Sequence, residues 1–150
     1  LTTRRQRQMC IRDSYNNLST FDIVADCSDN FATKYNSNEI CHEFKKPLFI
    51  GSANGYIGQA IFIPNTVSGP CYECLFPRSS YLPEETCNES GIAPYVLSYV
   101  ASILTMLITN FVISGHSAPI KLYRIDAKKM ELSSSTLRSD TSCIICGADD

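Results

Sequence analysis

The chain has 150 residues, is 44% apolar and carries a formal net charge of −2, with eight cysteines. That length and composition suit one domain with its own core. A mildly acidic chain lacks the basic footprint of a nucleic-acid binder, so any polyanion it handles must be held locally. Residues 1–14 are set aside first. Their stretch Arg5-Gln6-Arg7-Gln8-Met9-Cys10-Ile11-Arg12-Asp13-Ser14 has no periodicity and resembles a translated sequencing-adapter remnant. A natural basic tail for an acidic partner is the alternative. Without residues 1–14, which hold four arginines and one aspartate, the remainder is more acidic still.

In chain order, residues 21–27 (Phe-Asp-Ile-Val-Ala-Asp-Cys) form a short apolar run and predict a buried strand of a parallel sheet, with Ser28-Asp29-Asn30 as its closing turn. Residues 31–44 show helical spacing, with Phe31, Tyr35, Ile40, Cys41 and Phe44 as an apolar stripe and Asp29 or Asn30 as the cap. Lys45-Lys46-Pro47 ends the helix, and residues 48–51 predict a second buried strand. Strand, helix, strand is a βαβ unit with a right-handed crossover. Asn54-Gly55 marks a turn into an antiparallel strand over residues 57–63. Residues 78–91 lack periodicity, and a loop of that length in a compact domain is more often functional than decorative.

Residues 93–114 contain no charge and are long enough for a membrane helix. Ser98, Ser102, Thr105, Thr109 and Asn110 interrupt the apolar surface, and the flanks lack basic or aromatic anchors. The segment therefore predicts a helix packed inside an α/β protein or in a dimer interface. Residues 120–126 and 130–135 alternate around Lys128-Lys129 and predict a hairpin.

Two C-x-x-C pairs, Cys71/Cys74 and Cys143/Cys146, offer four thiolates to one tetrahedral ion. This is the ligand set of a structural zinc, closed to substrate. Two local disulfides, or two unrelated surface pairs, are the alternatives. With Cys10 set aside, the other cysteines are Cys27, Cys41 and Cys87, and an odd total fits a reducing, cytoplasmic compartment. Asp29 stands at the carboxyl end of a parallel strand, where α/β sheets bind ligands. It either caps the next helix or holds a magnesium ion that neutralises phosphate oxygens. Cys87 precedes a helix that could lower its pKa, while Glu85 and Glu89 oppose that, so a plain thiol and a nucleophile both stay open. His42 and His116 read as solvated or structural.

Asp26-Cys27-Ser28-Asp29-Asn30-Phe31-Ala32-Thr33-Lys34, Lys46-Pro47-Leu48, Gly51-Ser52-Ala53, Gly58-Gln59, residues 69–77 (Gly-Pro-Cys-Tyr-Glu-Cys-Leu-Phe-Pro), Thr86-Cys87 and residues 143–147 (Cys-Ile-Ile-Cys-Gly) follow one another in order. This ordered set resembles the ThiF/MoeB (HesA) adenylyltransferases, relatives of ubiquitin-activating enzymes, over residues 21–147. The resemblance implies a Rossmann-like α/β fold, here a fragment of it, with a mixed sheet of parallel and antiparallel strands and a structural zinc knuckle. It makes residues 15–150 the carboxyl-terminal portion of such a domain. It implies ATP-dependent adenylylation of the C-terminal glycine of a small ubiquitin-like sulfur carrier for thiamine or molybdenum-cofactor synthesis. Asp29 then becomes the magnesium and ATP contact, Asn30 and Lys34 nucleotide-side residues, and Cys71, Cys74, Cys143 and Cys146 the zinc ligands. Cys87 matches a cysteine that forms a covalent or persulfide link in some members.

The family's glycine-rich phosphate loop lies upstream of the matching residues, so the chain is expected to be inactive alone. Lys34 stands where relatives often carry arginine, keeping the charge and losing the bidentate fork. The partners expected are the sulfur carrier and a second copy of the chain in a homodimer, with neither nucleic acid nor a membrane. A non-catalytic, zinc-stabilised module for carrier binding and dimerisation is the second reading. A dithiol redox protein working through one C-x-x-C pair is the third.

Overall fold

Strands β2 (Leu48–Asn54) and β3 (Ile57–Ile63) are the centre of the molecule, with the first four residues of β2 and the last four of β3 buried. A computed structural model describes residues 20–65, 69–80, 91–114 and 120–147. The remaining described elements are β1 (Val24–Asp26), α1 (Phe31–Glu43), α2 (Tyr72–Leu75), a 3-10 turn (Arg78–Ser80), α3 (Pro94–Ile113), β4 (Lys121–Asp126) and β5 (Glu131–Thr136). The five strands form one sheet in the order β1-β2-β3-β4-β5. β1 runs parallel to β2, with Val24 opposite Leu48, and every later pairing is antiparallel. The fold is therefore mixed α/β.

Successive strand residues point to opposite faces, and here both faces are covered. On one side Phe49, Ala60 and Phe62 meet Val96, Val100, Ile103, Leu104, Leu107 and Phe111 of α3. On the other, Leu48, Ile50, Ile61 and Ile63 meet Tyr35 and Cys41 of α1, Tyr72 of α2 and Leu137. Two-sided burial explains the continuous apolar runs at residues 48–50 of β2 and 60–63 of β3. Each buried Leu, Ile or Phe contributes about 1.5–3 kcal/mol. Phe49 stacks on Phe62 with ring centroids 4.9 Å apart, and Phe111 meets Phe49 edge-on at 5.5 Å.

The close seat of α3 has a backbone cause. A Cβ on Gly58 would lie 2.5 Å from Val100 Cγ2 and 2.9 Å from Val96 Cγ1. Only a hydrogen at that position lets the helix approach the sheet. Gly55, with φ +56°, makes the turn from β2 into β3, a backbone region that glycine enters freely. Its N–H also donates to Gly91 O, and Ala93 N–H returns a bond to Gly55 O, fastening the start of α3 to the hairpin.

The helix expected over residues 93–114 forms as α3 and is packed on the sheet by one side. It is 20 residues long, with mean hydropathy 2.0 over its best 18-residue window, and meets the length and composition of a membrane span. Its other side exposes Tyr95, Tyr99, Met106, Val112 and Ile113. The hydroxyls of Ser98, Ser102 and Thr105 donate back to the carbonyls of Pro94, Ser98 and Ala101, so these polar groups are satisfied within the helix.

The inward face of α1 differs from the expected stripe. Lys34, Tyr35, Asn38 and Cys41 are its buried residues, while Phe31 and Phe44 are exposed. An apolar periodicity misses Lys34 and Asn38 because both are buried by finding polar partners across the fold. The hairpin expected near residues 120–135 is present as β4 and β5, with Lys121 opposite Thr136 and Asp126 opposite Glu131.

Candidate functional site

Cys71 caps the amino end of the four-residue helix α2, and Cys74 lies on it. Cys143 and Cys146 lie in a turn after β5, reached through Leu137, whose N–H donates to Ile120 O at 3.1 Å. The fold brings both pairs together. Sγ of Cys71 is 3.5 Å from that of Cys143, and Sγ of Cys74 is 3.2 Å from that of Cys146. Cys71 and Cys74 are 3.9 Å apart, and all four sulfurs lie within 4.8 Å of one another. A disulfide requires about 2.05 Å, and the four thiols are free. With metal–sulfur bonds of about 2.3 Å, a tetrahedral site needs sulfurs about 3.8 Å apart. The donor set and its spacing fit one tetrahedral, thiophilic ion such as zinc.

Local backbone builds the second half of this site. Gly147 N–H donates to Cys143 O at 2.8 Å, and Cys143 N–H to Asp140 O at 3.1 Å. A Cβ on Gly147 would sit 2.3 Å from Cys143 O, which accounts for the glycine after the second pair. Asp140 N–H points at Cys74 Sγ, 3.4 Å away. Burial pushes the Cys71 and Cys146 thiols up. Burial also works against the Cys143 thiolate, but backbone N–H groups of Cys146 and Ile145 outweigh it and bring that thiol below its ordinary value. A metal entering this cluster must therefore displace protons from Cys71 and Cys146.

The second cluster is the turn after β1. Asn30 is the N-cap of α1, its Oδ1 accepting Thr33 N–H at 2.8 Å. Asp29 is exposed beside it, touched by Asn30 Nδ2 at 3.3 Å. Its carboxylate thus faces outward at the amino end of a 13-residue helix without serving as the cap. Asp26, buried, accepts from Ser28 N–H at 2.8 Å and Ser28 Oγ at 2.6 Å. Lys34 is buried beneath the same turn. Its Nζ donates to Ser28 O at 2.5 Å and lies 3.5 Å from Gly51 O and 3.6 Å from Asp26 Oδ1. Burial raises the Asp26 carboxyl, but the Ser28 and Ser37 hydrogen bonds and the Lys34 charge hold it below its ordinary value. Lys34 is shifted down, because burial costs its charge more than Asp26 restores.

The arrangement includes side chains that motif reading did not single out. Arg78 bonds Glu39, places Nε 3.0 Å from Glu73 Oε2 and stacks its guanidinium 4.6 Å over the Tyr35 ring. Tyr35 OH donates to Phe76 O at 2.9 Å. Together they lash α1 to the helix carrying the first cysteine pair. Asn38, fully buried, accepts Tyr72 N–H at 2.8 Å. An i, i+4 spacing from Lys34 was the available signal. Cys87, His116 and residues 1–14 lie outside the described residues.

The chain matches the ThiF family model over residues 2–145 and belongs to that family. It is 32% identical over 130 residues to the sulfur carrier protein ThiS adenylyltransferase of Escherichia coli (strain K12), covering 86% of this chain and 51% of that protein. It is 33% identical over 145 residues to the adenylyltransferase and sulfurtransferase MOCS3 of Aedes aegypti, covering 93% of this chain and 32% of that one. The chain thus spans about half the length of the first relative and about a third of the second. In fold it is similar to the crystal structure of E. coli MccB, with a TM-score of 0.70 at 18% identity, over 91% of this chain and 43% of that one.

Proposed function

We propose that the protein containing this chain adenylylates the C-terminal glycine of a small ubiquitin-like sulfur carrier, using ATP. The carrier carboxylate attacks the α-phosphate, the bond to the β-phosphate oxygen breaks, and pyrophosphate leaves. The observation that carries this reading is the exposed Asp29 carboxylate at the end of a parallel strand, with helix capping assigned to Asn30. Membership of a family whose curated relatives include sulfur-carrier adenylyltransferases supports it.

Asp29 would hold a magnesium ion, which when bound supplies positive charge to phosphate oxygens. Asn30 fixes the turn on which Asp29 sits. Lys34 supplies its charge from beneath that turn. Cys71, Cys74, Cys143 and Cys146 would hold a structural zinc, and they do no chemistry in this reading. Cys87 is the thiol we assign to a covalent link during sulfur transfer. Residues 15–150 act as the carboxyl-terminal portion of the domain, dependent on a glycine-rich phosphate loop from elsewhere in the protein and inactive alone. A second copy would cover the exposed side of α3, giving a homodimer, in a reducing cytoplasmic compartment.

The test is carrier-dependent exchange of labelled pyrophosphate into ATP by the full-length protein, with candidate carriers of thiamine and molybdenum-cofactor synthesis. Exchange that requires a carrier with an intact terminal glycine is the expected result. Carrier binding with no exchange would replace the catalytic reading with that of a non-catalytic carrier-binding module.

A further inference from the structure

Asn38 is the one fully buried polar side chain among the largest fully buried residues described, and it lies at the joint between α1 and the first cysteine pair. Its Oδ1 accepts the backbone N–H of Tyr72, the residue after Cys71. That contact also fixes the amide's orientation, because a backbone N–H requires the oxygen and not the nitrogen opposite it. The Nδ2 group is consequently directed elsewhere, where it is buried and has no hydrogen-bond partner among the described residues. The unpartnered donor thus belongs to an amide held one residue from Cys71, and a metal-bound thiolate is a strong acceptor for such a group.

Cys74 Sγ already has a backbone donor in Asp140 N–H, 3.4 Å away on the turn that carries the second pair. Four thiolates around one divalent cation leave excess negative charge that such donors must spread. Resting on the metal reading of the cysteine cluster, we infer that Asn38 is a positioning residue for that centre. It donates its Nδ2 hydrogen to the metal-bound Cys71 sulfur while accepting Tyr72 N–H. The same side chain then ties the middle of α1, whose amino end carries Asn30 and follows Asp29, to the metal knuckle.

The test uses full-length protein. Asn38→Asp keeps an oxygen for Tyr72 N–H, removes the donor and sets a carboxylate against the thiolate. The wild type is expected to bind one zinc per chain, and Asn38→Asp to bind it about 10–100-fold more weakly by chelator competition. The sulfur-to-cobalt charge-transfer band of the cobalt-substituted variant is expected to shift. A second measurement needs no variant: in the 113Cd-substituted, 15N-labelled wild type, scalar coupling between cadmium and an Asn38 side-chain amide proton is expected across the N–H···S bond. Metal-binding wild type with no such coupling, or with an Asn38→Asp affinity within about twofold, overturns the Asn38 role and leaves the metal centre standing. A wild type that binds no thiophilic metal overturns both.

Discussion

Asn30 Oδ1 accepts Thr33 N–H at 2.8 Å, and Asp29, one residue earlier, is left exposed. The two neighbours therefore separate structure from chemistry at one turn. Asn30→Ala is expected to cost about 1 kcal/mol of stability through the lost cap, measured by denaturant unfolding. Asp29→Asn is expected to leave stability within about 0.5 kcal/mol, as an exposed site should, while abolishing carrier-dependent pyrophosphate exchange. Full exchange by Asp29→Asn would remove Asp29 from the nucleotide site.

The pair beneath that turn sets a pH dependence. Asp26 has a folded pKa below its unfolded value of about 3.9. Its contribution is thus fully present above that value and is lost as pH falls through the folded one. Lys34 has a folded pKa below about 10.4. Between the two values the unfolded chain holds the proton more tightly, so stability rises with pH in that window. Unfolding free energies measured from pH 2 to 10 should flatten at the acid end in Asp26→Asn. The same acid slope in wild type and variant would assign acid unfolding to other carboxylates.

On the far side of the sheet, the two surfaces of α3 should respond differently. Phe111→Ala, removing a ring packed on Phe49 and Phe62, is expected to cost about 3–5 kcal/mol. Met106, more than half exposed on the outer side, should tolerate alanine within about 0.5 kcal/mol in the monomer. Met106→Asp is expected to weaken self-association in sedimentation equilibrium if a second copy covers this side. An unchanged monomer–dimer balance would direct the second copy to another surface.

Much of this fold is readable because β2 opens on the apolar run 48–50 and β3 closes on the apolar run 60–63, Gly55 supplies the turn between them, and the two C-x-x-C pairs carry their own geometry. What resists reading is the polar half of the core. Phe31 and Phe44 fit a helical stripe by spacing yet are exposed, whereas Lys34 and Asn38 are buried. Their burial depends on Ser28 O, Gly51 O and Tyr72 N–H, and two of these partners come from other elements. Hydrophobic periodicity scores the side chain alone, whereas burial of a polar group depends on what the tertiary fold places opposite it. The choice between Asp29 and Asn30 as cap was undecidable for the same reason: both residue types cap well, and backbone geometry decides.

Metal loss should loosen the clamp between α2 and the turn after β5. Structural zinc contributes on the order of 10 kcal/mol in small peptides. Here the strand pairing and the Arg78–Glu73–Glu39 contacts remain, so chelation is expected to lower the melting temperature without abolishing the fold. A melting curve unmoved by verified metal removal would deny the clamp any structural role.

The most direct measurement is metal content of the reduced full-length protein by inductively coupled plasma mass spectrometry, alongside Cys74→Ser and Cys146→Ser. One zinc per chain, falling sharply in both variants, is the expected result. Folded protein that carries no metal when purified reduced and without chelator, or zinc content independent of Cys74 and Cys146, would contradict the four-cysteine centre.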